Sequence, residues 1–205
     1  MSRLKKLNGG FEAILENKNK YQAKAVILAT GKKPRKLNVP GETELTGRGV
    51  TYCAICDGPI FAGQRVAVVG GGNSALEAVL DMLKIAEHVD LVSLTPLTAD
   101  PVLVDQLSGV KNLDTYIEYQ TVRIEGQALV EGMVIKDLRS GVEKQLNVTG
   151  VFIEIGLVPN SDMVRELLPL NKLGEVPVSS FCETTVPGLY AAGDVTDVPE
   201  KQIVI

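Results

Sequence analysis

Val69-Gly70-Gly71-Gly72-Asn73-Ser74-Ala75 stands between a short β-branched run, Gln64-Arg-Val-Ala-Val-Val69, and a segment of helical periodicity over 74–85. It fits G-x-G-x-x-G/A through Gly70, Gly72 and Ala75, in the strand–turn–helix setting that the pattern requires. In that setting the first glycine makes a tight turn and the second lets the backbone approach a pyrophosphate. The small third residue lets the helix pack close to the strand. Free N–H groups at the helix start, with the positive end of its dipole, face the phosphates. The competing reading is a glycine-rich βα turn with no ligand.

Working outward, Leu76, Val79, Leu80 and Leu83 form one stripe of the helix. A strand over 89–94, a second helix over 101–107 and a strand over 112–119 follow. Gly126, Gly132 and Gly141 then punctuate short strands of hairpin type, and 148–155 is apolar. Upstream, 21–29 ends in Ala25-Val-Ile-Leu-Ala29 and is closed by Thr30-Gly31. A basic, then Pro- and Gly-rich connector runs over 32–49, and a second connector is Gly156-Leu-Val-Pro159-Asn160. Tyr190-Ala-Ala-Gly-Asp194 closes one more strand. The expected architecture is α/β: a Rossmann-like domain over 45–148, inserted into a partial outer domain formed by 1–44 and 149–205.

With 45% hydrophobic and 22% charged residues, the 205-residue chain has the composition of a soluble globular protein. Its apolar runs are too short to cross a bilayer, so no membrane association is expected. The first residues carry no long apolar stretch, which points to the cytoplasm. A formal charge of −4 gives no reason to expect a nucleic-acid partner.

Two of the three cysteines lie in Tyr52-Cys53-Ala54-Ile55-Cys56-Asp57-Gly58-Pro59. A two-residue spacer allows an intramolecular disulfide and lowers the pKa of one thiol. Asp57 can pass a proton as the dithiol reacts. Structural zinc needs four ligands, and only Cys182 and the single His88 remain, both distant, so no metal is expected. A redox-active dithiol is the reading. Cys182 is expected to be a small core residue, His88 a structural group at a helix C-terminus, and Glu77 and Asp81 a solvated helix face. The strand after the glycine turn ends in Ser93-Leu94-Thr95-Pro96, which offers neither an acid for a ribose hydroxyl nor an arginine for a 2′-phosphate. No Lys or Arg occurs between Ile85 and Val110, and Asp90 is read as a solvated strand-end residue. The cofactor is expected to be NADH or NADPH, with NADH favoured.

With the cysteine pair just before a dinucleotide turn, the chain resembles the low-molecular-weight thioredoxin reductase family. Within it, the chain resembles the thioredoxin-reductase-like part of the alkyl hydroperoxide reductase flavoprotein subunit. The resemblance runs through Val26-Ile-Leu-Ala-Thr-Gly31, Val39-Pro-Gly-Glu42, 52–58, 69–75, Ile155-Gly-Leu-Val-Pro-Asn160 and 185–194. It implies a nicotinamide-binding domain inserted into an FAD-binding domain, in a homodimer. Hydride would pass from the nicotinamide to FAD, then to the Cys53/Cys56 disulfide, then to thioredoxin or a thioredoxin-like, peroxiredoxin-linked domain. By motif, Cys53 and Cys56 are the redox pair and Asp57 the acid. Gly70, Gly72, Asn73, Ser74 and Ala75 would hold the dinucleotide, with Gly156 near the nicotinamide. Thr30, Gly31, Gly193, Asp194 and Gln202 would contact FAD.

The chain also departs from the family. No G-x-G-x-x-G precedes Ala25 (Asn8-Gly9-Gly10 is not one), and the family's small-residue helix after Gln202 is missing, since the chain ends at Ile205. The basic pattern that reads NADPH is missing too. The expectation is a chain truncated at both ends, with an intact nicotinamide domain and weak or no FAD binding by itself. A dinucleotide-binding module without turnover, and a small thiol-redox or metal protein without flavin, are the alternatives.

Overall fold

Val66, Ala67 and Val68 are wholly shielded from solvent, because their strand, Arg65–Val69, runs through the middle of a five-stranded parallel sheet. The structure, a computed structural model, describes residues 1–199 and 201. The sheet is ordered Val50–Thr51, Gly150–Ile153, Arg65–Val69, His88–Ser93, Leu113–Ile117, and every pairing in it is parallel. Such a sheet is covered on both faces, which is why its strands read as continuous β-branched runs. Val66, Val68, Leu91 and Phe152 pack one face against Leu76, Val79 and Met82 of the helix Asn73–Met82. Ala67, Val69, Val92 and Val151 pack the other against Ile124, Met133, Ile135 and Leu146. Those four belong to an antiparallel sheet of Tyr119–Glu125, Gly132–Asp137 and Glu143–Leu146. The helix is shorter than the 74–85 expected, and Leu80 and Leu83 are only partly buried.

Asp90 corrects the sequence reading. It is not a solvated strand end: it is completely buried as the third residue of its strand. Nε and Nη2 of Arg65, on the neighbouring strand, donate to its two oxygens at 2.9 Å each. A buried carboxylate needs such a partner, and a lone one would be strongly destabilising.

The chain divides into two compact units, 34–156 and 1–33 with 157–205. The inner unit is wider than 45–148 at both ends. Gly150–Ile153 is an interior strand of its sheet, and the connector is held by Ile124 N donating to Pro40 O at 2.9 Å. In the outer unit, Arg3–Leu7, Gly10–Ile14 and Lys20–Ala23 form an antiparallel sheet. Its first hairpin turns on Asn8-Gly9, with Gly9 at φ 88°. Val26–Leu28 pairs in parallel with Leu189–Ala191, and Lys32–Pro34 pairs with Leu157–Pro159. Leu4, Phe11, Leu28, Val164, Val176 and Leu189 make its core. No helix among the described residues is long and apolar enough to cross a membrane.

Glu175 is buried in this outer unit. It accepts hydrogen bonds from Lys32 Nζ and Asn171 Nδ2, each at 2.8 Å, and Lys201 Nζ lies 3.3 Å away. Burial pushes its pKa up, but Lys32, Asn171 and Lys201 together outweigh burial and hold the carboxyl at about 2, below the ordinary 4.5. A depressed folded-state pKa contributes stability that is complete above the unfolded value and is lost as pH falls from about 4.5 towards about 2. That contribution is about 3 kcal/mol. Lys32→Met should therefore move the midpoint of acid unfolding, followed by circular dichroism, to higher pH. An unchanged midpoint would mean that this pair does not set acid stability.

Candidate functional site

The glycine turn is shaped by two different demands. Gly70 has φ 148°, and a Cβ there would lie 2.2 Å from the carbonyl oxygen of Glu154 and 2.8 Å from Cβ of Ala75. Only glycine fits. Gly72 has an ordinary φ of −95°, and a Cβ there would meet nothing closer than Thr98 Oγ1 at 3.8 Å. Its missing side chain leaves open space at the start of the helix, where the first N–H groups have no intrahelical acceptor. Ala75 is completely buried. Both polar groups of the Asn73 side chain are engaged: Nδ2 donates to Asp100 Oδ2 and Oδ1 accepts from Asp100 N, each at 2.8 Å. Asn73 thus ties the helix start to the short helix Pro101–Asp105.

The turn borders a cavity of about 650 Å³, which Ser74, Ser93, Thr121, Glu154 and Gly156 also line. Arg35 and Lys36 reach the same cavity from the connector, so the cations absent between Ile85 and Val110 come from elsewhere in the chain. Their segment is fixed at both ends. Arg35 N donates to Gly156 O at 2.9 Å, and Leu37 N and Asn38 N donate to the buried Glu42 carboxylate at 2.9 and 2.6 Å. Tyr52 OH donates to the same carboxylate at 2.8 Å. Burial and then Glu42 push the Tyr52 phenol up to about 12. Thr121 Oγ1, also buried, has no hydrogen-bond partner among the described residues. A glycine cradle, an orphaned hydroxyl and two cations suit an anionic nucleotide.

Cys53 and Cys56 are joined in a disulfide. Cys53 caps the four-residue helix Ala54–Asp57, its Sγ accepting from Cys56 N at 3.2 Å. Cys56 is exposed and Cys53 half-buried. Cys53 lines a second cavity, of about 530 Å³, with Ser74, Glu77, Asp81 and Glu154. Asp57 accepts a short hydrogen bond from Thr51 Oγ1 and lines a different cavity, with Gly49 and Phe61.

The family profile of pyridine nucleotide-disulphide oxidoreductases matches residues 3–204. The chain belongs to that family. It is 45% identical over 186 residues to a subunit of alkyl hydroperoxide reductase in Escherichia coli K12, covering 90% of this chain and 36% of that one. Against the counterpart of that protein in Staphylococcus aureus Mu50 it is 42% identical over 203 residues, covering 98% and 40%. The chain thus spans about two fifths of the curated relatives it matches. Thioredoxin reductases from T. acidophilum (36% identity, TM-score 0.80) and Lactococcus lactis in its FR conformation (29%, 0.82) match 99% of this chain and 67% of theirs. The fold is therefore the mixed α/β fold of thioredoxin reductases, of which the chain covers a part.

The remaining site residues that the sequence singles out lie in the outer unit. Thr30 and Gly31 follow Val26–Leu28, and Gly193 and Asp194 follow its parallel partner Leu189–Ala191. Ala192 N donates to Leu28 O at 3.0 Å. The four residues therefore meet at the C-terminal ends of two parallel strands, the edge where α/β sheets take ligands. Thr30 Oγ1 donates to Asn160 O at 2.6 Å and Asn160 Nδ2 to Thr30 O at 2.9 Å. A Cβ at Gly31 or Gly193 would meet nothing within 4 Å, and both have positive φ. Gln202 lies outside the described residues.

Cys182 is a correction: it is exposed, not a core residue. Its backbone makes a turn at φ 61°, with its N–H donating to Ser179 O at 2.9 Å and its carbonyl accepting from Ala191 N at 3.0 Å. The turn leaves the thiol outside. His88 begins a strand instead of ending a helix, its Nε2 3.2 Å from Asp114 Oδ2. His88, Asp90 and Asp114 have the spacing of a metal set, but the Arg65 guanidinium donates to both carboxylates. A cation already sits there.

Proposed function

We propose that the chain is the nicotinamide-binding, disulfide-bearing part of a flavin-dependent disulfide reductase of the thioredoxin reductase type. The observation that carries this reading is that the cavity at the glycine turn and the cavity at Cys53 share a wall, Ser74 and Glu154. When bound, a reduced nicotinamide supplies hydride and FAD relays two electrons to sulfur. The residues of this chain do the rest. Gly70 and Gly72 let a pyrophosphate reach the N–H groups at the start of Asn73–Met82, and Arg35 and Lys36 offset its charge. Thr30, Gly31, Gly193 and Asp194 would hold FAD. Cys53 and Cys56 take up two electrons and two protons as their S–S bond breaks. On meeting a partner disulfide, that of thioredoxin or of a thioredoxin-like, peroxiredoxin-linked domain, the bond between Cys53 and Cys56 re-forms. The partner's S–S bond breaks, and its two sulfurs take the electrons and protons. Cys56, the exposed member of the pair, is the sulfur open to a partner. We assign the working form as a cytoplasmic homodimer.

NADH is the favoured nucleotide, because the 93–96 edge itself carries no cation for a 2′-phosphate and Arg35 and Lys36 are assigned to the pyrophosphate. Calorimetric titration should show NADH binding at least as tightly as NADPH. Stepwise alkylation with mass mapping should label Cys182 in the folded, oxidised chain, and Cys53 and Cys56 only after a mild dithiol, both together. Tighter binding of NADPH by tenfold, about 1.4 kcal/mol, would overturn the nucleotide assignment. A pair that resists a mild dithiol would overturn the redox reading. Adding FAD and recording the visible spectrum tests the flavin assignment separately.

A further inference from the structure

Two carboxyl groups stand near the disulfide, on different cavities. Asp57 faces Thr51, whereas Glu154 lines the cavity that holds Cys53. Glu154 directly follows the interior strand Gly150–Ile153, and its N–H donates to Val69 O at 2.8 Å, so the sheet fixes its place. Its surroundings are charged on both sides. Tyr52, Glu77, Asp81 and Lys84 line the Cys53 cavity, and Arg35 and Lys36 the nucleotide cavity. Burial raises the Glu154 pKa, the Ala54 N–H lowers it, and the like charge of Glu77 raises it again, for a net shift upward.

We propose that Glu154 is the acid that exchanges a proton with Cys53 when the disulfide opens and closes, from within the cavity the two share. The inference rests on the redox-active reading of Cys53 and Cys56. With a vicinal dithiol as reductant, the S–S bond between Cys53 and Cys56 breaks and the reagent's two sulfurs join. Two electrons and two protons pass to the protein. A protonated Glu154 lets Cys53 stand as thiolate, and an ionised Glu154 keeps the proton on sulfur, since like charges in one cavity oppose each other. Removing the carboxylate charge therefore lowers the Cys53 thiol pKa.

The test uses the full chain with Cys182→Ser, reduced by dithiothreitol and alkylated with iodoacetamide across the neutral and alkaline range. Glu154→Gln should alkylate Cys53 about threefold faster near neutral pH, with a smaller change at Cys56. In the wild-type chain, carbon NMR of the Glu154 carboxyl should show its titration moving to higher pH when the disulfide is reduced. A Glu154→Gln profile that superimposes on wild type, or a Glu154 titration indifferent to the disulfide, overturns the proposal. If Glu154→Gln fails to fold, the wild-type carboxyl titration decides. A disulfide that dithiothreitol cannot open would instead overturn the redox reading itself, and the proposal with it.

Discussion

Gly70→Ala should cost about 3 kcal/mol or more of stability and abolish nucleotide binding. The added Cβ would lie 2.2 Å from the carbonyl oxygen of Glu154, at φ 148°, and neither the turn nor the strand Gly150–Ile153 that Glu154 directly follows can yield. The strand is an interior one, buried on both faces. Gly72→Ala is the informative contrast. Its φ is ordinary and the nearest atom is 3.8 Å away, so stability should change by less than about 1 kcal/mol. The methyl would nonetheless stand in the open space at the helix start, and NADH affinity should fall about tenfold, about 1.4 kcal/mol. Thermal unfolding and calorimetric titration of both variants separate these effects. If Gly72→Ala binds NADH as wild type does, the open space is not where the pyrophosphate sits.

Glu42→Ala should cost about 2–3 kcal/mol, because two backbone N–H groups and the Tyr52 hydroxyl lose their acceptor at a buried site. The same change frees the segment that carries Arg35 and Lys36, so nucleotide affinity should fall although Glu42 does not line the cavity. Tyrosine titration gives an independent readout. Burial and Glu42 hold the Tyr52 phenol at about 12, against an ordinary 10.0. A raised phenol pKa adds stability that is complete below the unfolded value and is lost as pH rises from 10.0 towards about 12. Glu42→Ala should bring one tyrosine's titration down and flatten that alkaline loss. An unaltered tyrosine titration would show that Glu42 does not govern Tyr52.

The glycine turn was legible in the sequence because both of its constraints are local. Three glycines follow a β-branched run and precede an apolar stripe, and chain geometry over a few residues does the rest. The Cys53/Cys56 pair was legible for the same reason, since a two-residue spacer leaves little for the rest of the fold to decide. Asp90 was not, because its burial depends on Arg65, a residue on the neighbouring strand. Cys182 was misjudged because a turn at φ 61°, unusual for a residue other than glycine, decides which way the thiol points. Arg35, Lys36 and Glu154 reach the cavities only through pairings distant along the chain. The hairpin at Asn8-Gly9 is the one miss that local reasoning could have caught. Asn-Gly is a strong two-residue turn signal.

The hydrogen bond from Arg35 N to Gly156 O joins the second residue of the inner unit to its last. An excised segment 34–156 would begin and end at the same spot, as a module suited to transplantation does. The cost of closing a loop depends on how far apart its ends lie when the rest of the chain is fixed. Here the inner unit brings its own ends together. To the outer unit, everything between Lys33 and Leu157 counts as a short loop.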